Sequence, residues 1–295
     1  MSDKGRLKIS KWDPANLPEN ATIFLIGRRG TGKSTLMADI AFHLAESNNI
    51  DVAIGMSPTE ESTDSLSAYI CKTMIYTTFS EAVLQNILDT QARMWKRGVG
   101  YRIALFLDDC VYDKKILKTK TFRELMMNGR HRKITLILAA QYCMDLPPSC
   151  RSNIDIVVMA RDNIKSNQKK LYEQFAGFFE TQADFNACFA ATTTNYEVLV
   201  IDNKSTQSND LTDNVKWYKA RNDLPPFRLG KPWVWELDAA YFCDRENESR
   251  LDIHPPAVES RAPVPVQPRP VTSRDIVKGD VHGRTIVSRT NGAWY

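Results

Sequence analysis

Residues 26–35 read IGRRGTGKST and follow directly on the apolar run Ile23, Phe24, Leu25. Within them Gly27-x-x-x-x-Gly32-Lys33-Ser34 has the spacing of a phosphate-binding loop. Such a loop turns backbone N–H groups onto phosphate oxygens, sends its lysine to the β- and γ-phosphates and offers its hydroxyl to Mg²⁺. The next stretch, TLMADIAFHL at 35–44, has helical periodicity, which places the phosphates at a helix N-terminus where the dipole favours anions. The expected ligands are a nucleoside triphosphate and Mg²⁺, cradled by Gly27, Arg28, Arg29, Gly30, Thr31, Gly32, Lys33, Ser34 and Thr35. A plain glycine turn between a strand and a helix would explain the glycines, but not a lysine and a serine at those two places.

Outward from this loop, short apolar runs recur at 22–26, 52–56, 103–107, 134–140 and 154–160, separated by polar or helix-like segments. That alternation predicts an α/β fold, a mostly parallel sheet with helices on both faces. The last two runs are nearly free of polar residues, as strands buried on both faces should be. Residues 78–96 (TFSEAVLQNILDTQARMWK) read as an amphipathic helix that starts near Phe79 or Ser80 and stops before Gly98. Helices are also expected over 165–178 and 181–191, and a strand over 196–201. Residues 1–20, polar and carrying Pro14 and Pro18, read as an extended lead-in to a nucleotide-binding domain over 21–243. From 244 to 295 no hydrophobic period persists, and Pro255, Pro256, Pro263, Pro265, Pro268 and Pro270 crowd the chain. This is the composition of a disordered tail, with docking of Trp294 and Tyr295 as a short strand the alternative.

The 295 residues are 43% hydrophobic and 25% charged, a globular composition, and a net charge of +4 is too small to diagnose nucleic-acid binding by itself. Cys71, Cys110, Cys143, Cys150, Cys188 and Cys243 form no C-x-x-C pair and, like the dispersed histidines, suit free thiols in a reducing compartment better than a disulfide or zinc framework. No signal peptide is visible and no apolar run has the length to cross a bilayer, so the expected location is intracellular, off the membrane.

The run Ile103-Ala104-Leu105-Phe106-Leu107 delivers Asp108 and Asp109 to the edge of the sheet where the phosphate loop sits. Asp108 is the candidate to hold Mg²⁺ with Ser34, and Asp109 the candidate to orient or deprotonate the attacking water. Gln141 ends the next apolar strand, ITLILAAQ, where an amide can sense the γ-phosphate or simply terminate the strand. Between these strands lie Lys114, Lys115, Lys118, Lys120 and Arg123, then Arg130-His131-Arg132-Lys133. A basic run is commonly a solvated face. Its position beside the nucleotide also suits gripping a polyanion backbone, or carrying an arginine to a neighbouring subunit's γ-phosphate.

In this order, GRRGTGKST, a strand ending in Asp108-Asp109, NGRHRKI and then LILAAQY, the chain resembles the FtsK/HerA-type genome-packaging ATPases of large double-stranded DNA viruses, the poxvirus and giant-virus group. Ser57-Pro58-Thr59 and FRLGKPWVW at 227–235 extend the resemblance, which covers about residues 20–242. It implies ATP as the triphosphate, and an additional-strand P-loop core with the Gln141 strand between the phosphate-loop and Asp108 strands. It further implies a pentameric or hexameric homo-oligomeric ring that pumps duplex DNA into a capsid through a capsid or portal component, in the cytoplasm or nucleus of an infected cell or with the virion. Under it, Asp109 is the catalytic carboxylate, although many bacterial and archaeal relatives carry Glu there; Gln141 is the sensor, and Arg130 or Arg132 the finger reaching a neighbour's site. Arg28 and Arg29 are the rival arginines, acting on their own subunit. The alternatives are a DNA-processing or mobilising translocase of the same superfamily, or a P-loop small-molecule kinase.

Overall fold

The computed structural model describes residues 9–110, 115–142, 146–204 and 210–241. Its strands are β1 (Ser10–Lys11), β2 (Thr22–Ile26), β3 (Val52–Met56), β4 (Ile75–Tyr76), β5 (Ile103–Asp108), β6 (Ile134–Ala140), β7 (Ile156–Met159), β8 (Glu197–Asp202) and β9 (Val215–Lys219). Its helices are α1 (Lys33–Glu46), α2 (Glu60–Ser67), α3 (Glu81–Lys96), α4 (Lys120–Asn128), α5 (Pro148–Arg151), α6 (Lys165–Phe175), α7 (Gln182–Thr192), α8 (Leu211–Asn214) and α9 (Pro232–Tyr241). The strands form one sheet in the order β1-β9-β8-β7-β2-β6-β5-β3-β4. From β4 to β7 all neighbours run parallel, while β8 is antiparallel to both β7 and β9.

β6 lies between β2 and β5, so the strand preceding Gln141 separates the phosphate-loop strand from the strand of Asp108, as the additional-strand fold requires. Every residue of β2, β5 and β6 is buried, which is why these strands read as unbroken apolar runs. Side-chain alternation splits the core in two. Phe24, Leu105, Leu107 and Leu138 pack with Leu84, Phe122, Phe175 and Phe189 from α3, α4, α6 and α7. Ile23, Leu25, Phe106 and Ile137 pack on the other face with Met37 and Ile40 of α1 and Leu66 of α2.

α1 is fastened to the sheet by a polar contact as well. Asp39, fully buried on α1, accepts hydrogen bonds from Tyr218 Oη at 2.5 Å and from Arg221 N and Nε at 3.1 and 3.0 Å. The lead-in supplies an edge strand: β1 pairs with β9 in parallel, Trp12 N donates to Trp217 O, and the Trp12 ring meets Tyr218 edge-on. α3 begins one residue after Ser80, whose hydroxyl accepts from Val83 N, and Gly98 (φ +73°) follows its end. Cys71, Cys110, Cys150 and Cys188 are free thiols. No described helix is long and apolar enough to cross a membrane. The proline-rich segment 244–295, Lys114, Cys143 and Cys243 lie outside the described residues.

Candidate functional site

The phosphate loop leaves β2 at the C-terminal edge of the parallel strands and enters α1 at Lys33. Gly27 cannot carry a side chain, because a Cβ there would lie 2.6 Å from Thr31 Oγ1 and 2.7 Å from Ala160 Cβ. Gly32 caps α1 at φ +86°, a left-handed turn that glycine makes without steric cost. No side chain caps α1 and its first turn holds no acid, so its free N–H groups face outward for an anion. Lys33 is largely buried and its Nζ donates to Gly27 O at 2.8 Å. Ser34 and Thr35 are exposed on the first turn, as are Arg28, Arg29 and Gly30 on the loop. Arg29 pairs with Glu61 of α2 at 3.0 Å, both side chains in solvent.

The ends of β5 and β6 bring the acids and the amide to the same place. Asp108 follows Ala104 and Phe106 on the α1 face of β5, and Gln141, exposed, comes one residue after the end of β6. Asp109 turns out of the strand at φ +49°, a region a non-glycine residue seldom occupies, and its N–H still reaches Ala139 O. Gln141 Nε2 donates to Asp109 Oδ2 at 2.9 Å, and Lys33 Nζ stands 3.9 Å from the same oxygen. Lysine, carboxylate and amide thus converge at the mouth of α1.

Asp108 sits deeper, 4% exposed. Burial raises its carboxyl above the usual range; a hydrogen bond from Ser62 of α2 opposes this, Asp109 adds to it and Lys33 opposes it. Two further hydroxyls surround this acid. Met56 pairs with Leu107, so Ser57 comes next to Asp108 on the adjoining strand; Ser57 Oγ is fully buried without a hydrogen-bond partner. Tyr69 Oη is likewise buried and unpartnered, and burial followed by the charge of Asp108 raises its phenol. The Cys110 thiol donates to Met56 O at 2.8 Å, and burial, then Asp108, pushes it up to about 12. Ser62 escaped the sequence reading because nothing in EESTDSLS marks which hydroxyl faces the sheet, and Ser57 entered it only as part of a family motif.

The remaining candidates divide by sheet edge. Lys115, Lys118 and Lys120 are exposed on the path from β5 into α4, near the phosphate-loop edge, and Lys120 opens α4, whose first turn contains no acid. Arg130 and Arg132 precede β6 and therefore lie at the opposite edge from their own phosphate loop. Arg132 donates to Leu88 O and Glu124 Oε1 and is 22% exposed, whereas Arg130 pairs with Asp155 and is 55% exposed. Arg161, not singled out by its sequence context, follows β7 on the loop's own side and is exposed.

No family model matches the chain. It is 30% identical over 227 residues to an uncharacterised protein of Acanthamoeba polyphaga mimivirus, covering 74% of this chain and 78% of that one. It is 32% identical over 231 residues to an uncharacterised protein of Invertebrate iridescent virus 3, covering 75% and 87%. Among solved structures, the genome packaging NTPase B204 of Sulfolobus turreted icosahedral virus 2, in complex with ATP-gammaS, superposes with a TM-score of 0.50 at 20% identity, covering 69% of this chain and 99% of that chain. The chain belongs to the family of viral proteins that the mimivirus and iridescent-virus relatives represent, and it has the fold of an FtsK/HerA-type viral genome-packaging NTPase.

Proposed function

We propose that the protein is a Mg²⁺-dependent ATPase motor that moves double-stranded DNA and packages a viral genome, working as a homo-oligomeric ring against a capsid or portal component in the infected cell. The observation that carries this reading is the convergence of Lys33 and Gln141 on Asp109 at the N-terminus of α1. Lys33 there is a point charge for the β- and γ-phosphates, held ready by Gly27 O. Asp109 orients the attacking water and takes its proton, and the amide of Gln141 fixes which way that carboxylate faces. A change at the γ-phosphate that draws Gln141 away would free Asp109, which makes the amide a sensor.

The donor set fits a hard divalent cation: the Ser34 hydroxyl and the Asp108 carboxylate are oxygen ligands, with an unpaired buried hydroxyl at Ser57 beside them. Ser34 and Asp108 would hold Mg²⁺, which would neutralise phosphate charge there. Lys115, Lys118 and Lys120, with Lys114, are the candidates to grip DNA phosphates without reading bases. For the arginine that completes a neighbour's site, Arg130 is better placed than Arg132, since it is more exposed and held by one ion pair rather than by a carboxylate and a carbonyl; Arg161, Arg28 and Arg29 are the same-edge rivals.

The test is ATP turnover with and without duplex DNA across a salt series. Stimulation by duplexes of unrelated sequence, fading steeply as salt rises, is the expected result. Turnover indifferent to DNA at low salt would leave an ATPase and remove the motor.

A further inference from the structure

We infer that the cleft between the phosphate loop and the start of β8 seats the nucleoside of a purine nucleotide, with the Tyr196 ring as the platform for the base. This rests on the reading of 27–35 as a triphosphate loop. The sheet order then leaves one direction for the nucleoside. β5 and β6, carrying Asp108, Asp109 and Gln141, lie on one side of β2, so the γ-end of a triphosphate points that way. The base must extend across α1's first turn to the other side, over β7, β8 and β9.

A cleft of about 540 Å³ opens there, lined by Thr31, Thr35, Tyr196, Lys219 and Asn222 among others, a volume within the range of small-molecule sites. Antiparallel β8 starts, and β9 ends, at the same sheet edge as the phosphate loop. Asn195 and Tyr196 both take left-handed backbone, φ +51° and +62°, and for a residue as bulky as tyrosine that conformation is an outlier. It turns the ring out of the sheet. Tyr196 is 68% exposed, and its Cδ1 would stand 3.5 Å from a Cβ placed on Gly32, so one edge of the ring lies beside the loop while most of the ring is open to solvent and to a ligand. An aromatic face in that position stacks on a base, and a purine offers the larger surface. The amides of Asn195 and Asn222 border the same cleft and can meet donors and acceptors on the base edge, and Thr35 lines it on the side of the phosphate loop.

Calorimetric binding of ATP and of inorganic tripolyphosphate to the full chain separates the base seat from the phosphate loop. Tyr196→Ala should weaken ATP by about 10-fold or more, the scale of one lost base–aromatic stack, while tripolyphosphate stays within about twofold of wild type. Tyr196→Phe keeps the ring and should recover most of the ATP affinity. Unchanged ATP affinity in Tyr196→Ala overturns the inference, and so does equal loss of both ligands, which would make the ring a support for the loop. Lys33→Ala should weaken both ligands; if it weakens neither, the phosphate-loop reading fails, whatever the tyrosine variants show.

Discussion

Asp155 and Asp108 are both buried acids at strand ends, one on each edge of the same sheet, and they are treated in opposite ways. Asp155, just before β7, accepts from Thr22 N at 2.8 Å and pairs with Arg130. Nearby on that edge the buried Gln91 amide donates to Tyr101 O and Arg132 O at 2.6 and 2.8 Å, and Arg102 N donates to Asp51 at 2.7 Å. These polar groups are satisfied inside the chain, and they hold it together. Asp108, at the end of β5, has a second carboxylate beside it, a hydroxyl without a partner at Ser57 and another at Tyr69. A buried polar group without a partner costs stability, so its retention points to a partner that comes from outside. At one edge the buried acid is satisfied inside the chain; at the other the buried acid stands beside hydroxyls without partners.

The comparison breaks first in turnover, at Asp109 and Lys33. Asp109→Asn keeps the shape and the Gln141 contact but cannot take a proton, so turnover should fall by about 100-fold or more while ATP still binds. Single-turnover assays with a separate binding measurement distinguish the two effects; near-normal turnover would remove Asp109 as the catalytic carboxylate. Lys33→Ala should lose hydrolysis altogether.

Substitution of the two buried aspartates should move stability in opposite directions. Asp155→Ala strands the Thr22 N–H and the Arg130 guanidinium, and about 1–3 kcal/mol of stability should go with them. For Asp108 the folded chain holds its proton to higher pH than the unfolded chain, whose aspartates titrate at about 3.9. Its contribution to stability is therefore full below that pH and is lost as pH rises through the folded value, so at neutral pH the ionised group opposes folding. Asp108→Asn should raise the apo melting midpoint by about 2–4 °C at pH 7, the shift that about 1 kcal/mol gives in a domain of this size, with the gain shrinking toward pH 4. Hydrolysis should be lost in the same variant. If both substitutions destabilise alike, the two edges do not differ as described.

How much of this was readable from the chain follows the same division. The placement of the phosphate loop, Asp108, Asp109 and Gln141 at one sheet edge was legible because each follows an apolar strand in a short local pattern. The partners of the opposite edge were not. Nothing near Asp155 in sequence announces Thr22, 133 positions away, and nothing near Asp39 announces Tyr218. β9, written VKWYK, hid its strand character behind two lysines that an outer strand can leave at its margins, and β1 is too short to show a period. Tyr196 was read as the first residue of a strand, whereas the strand starts at Glu197 and the tyrosine is thrown outward by its left-handed backbone.

The smallest expected effect falls on Ser57, and it sharpens the comparison most. Its hydroxyl is fully buried, has no partner and neighbours Asp108 across β3 and β5. Without a partner that hydroxyl is a cost, so Ser57→Ala should leave the stability of the chain unchanged or raise it slightly, by no more than about 1 kcal/mol. A buried serine of the opposite kind, one bonded inside the chain, would lose stability on the same change. If the hydroxyl finds its partner only when Mg²⁺ and nucleotide reach Asp108, the alanine variant should need a few-fold more Mg²⁺ for half-maximal turnover, with maximal turnover nearly kept. Titrating Mg²⁺ at saturating ATP reads this directly. A higher midpoint with an unchanged Mg²⁺ requirement would make Ser57 an orphan of the fold rather than part of the ligand edge, and would leave Ser62, which already bonds Asp108, as the one hydroxyl serving that acid among those described around it.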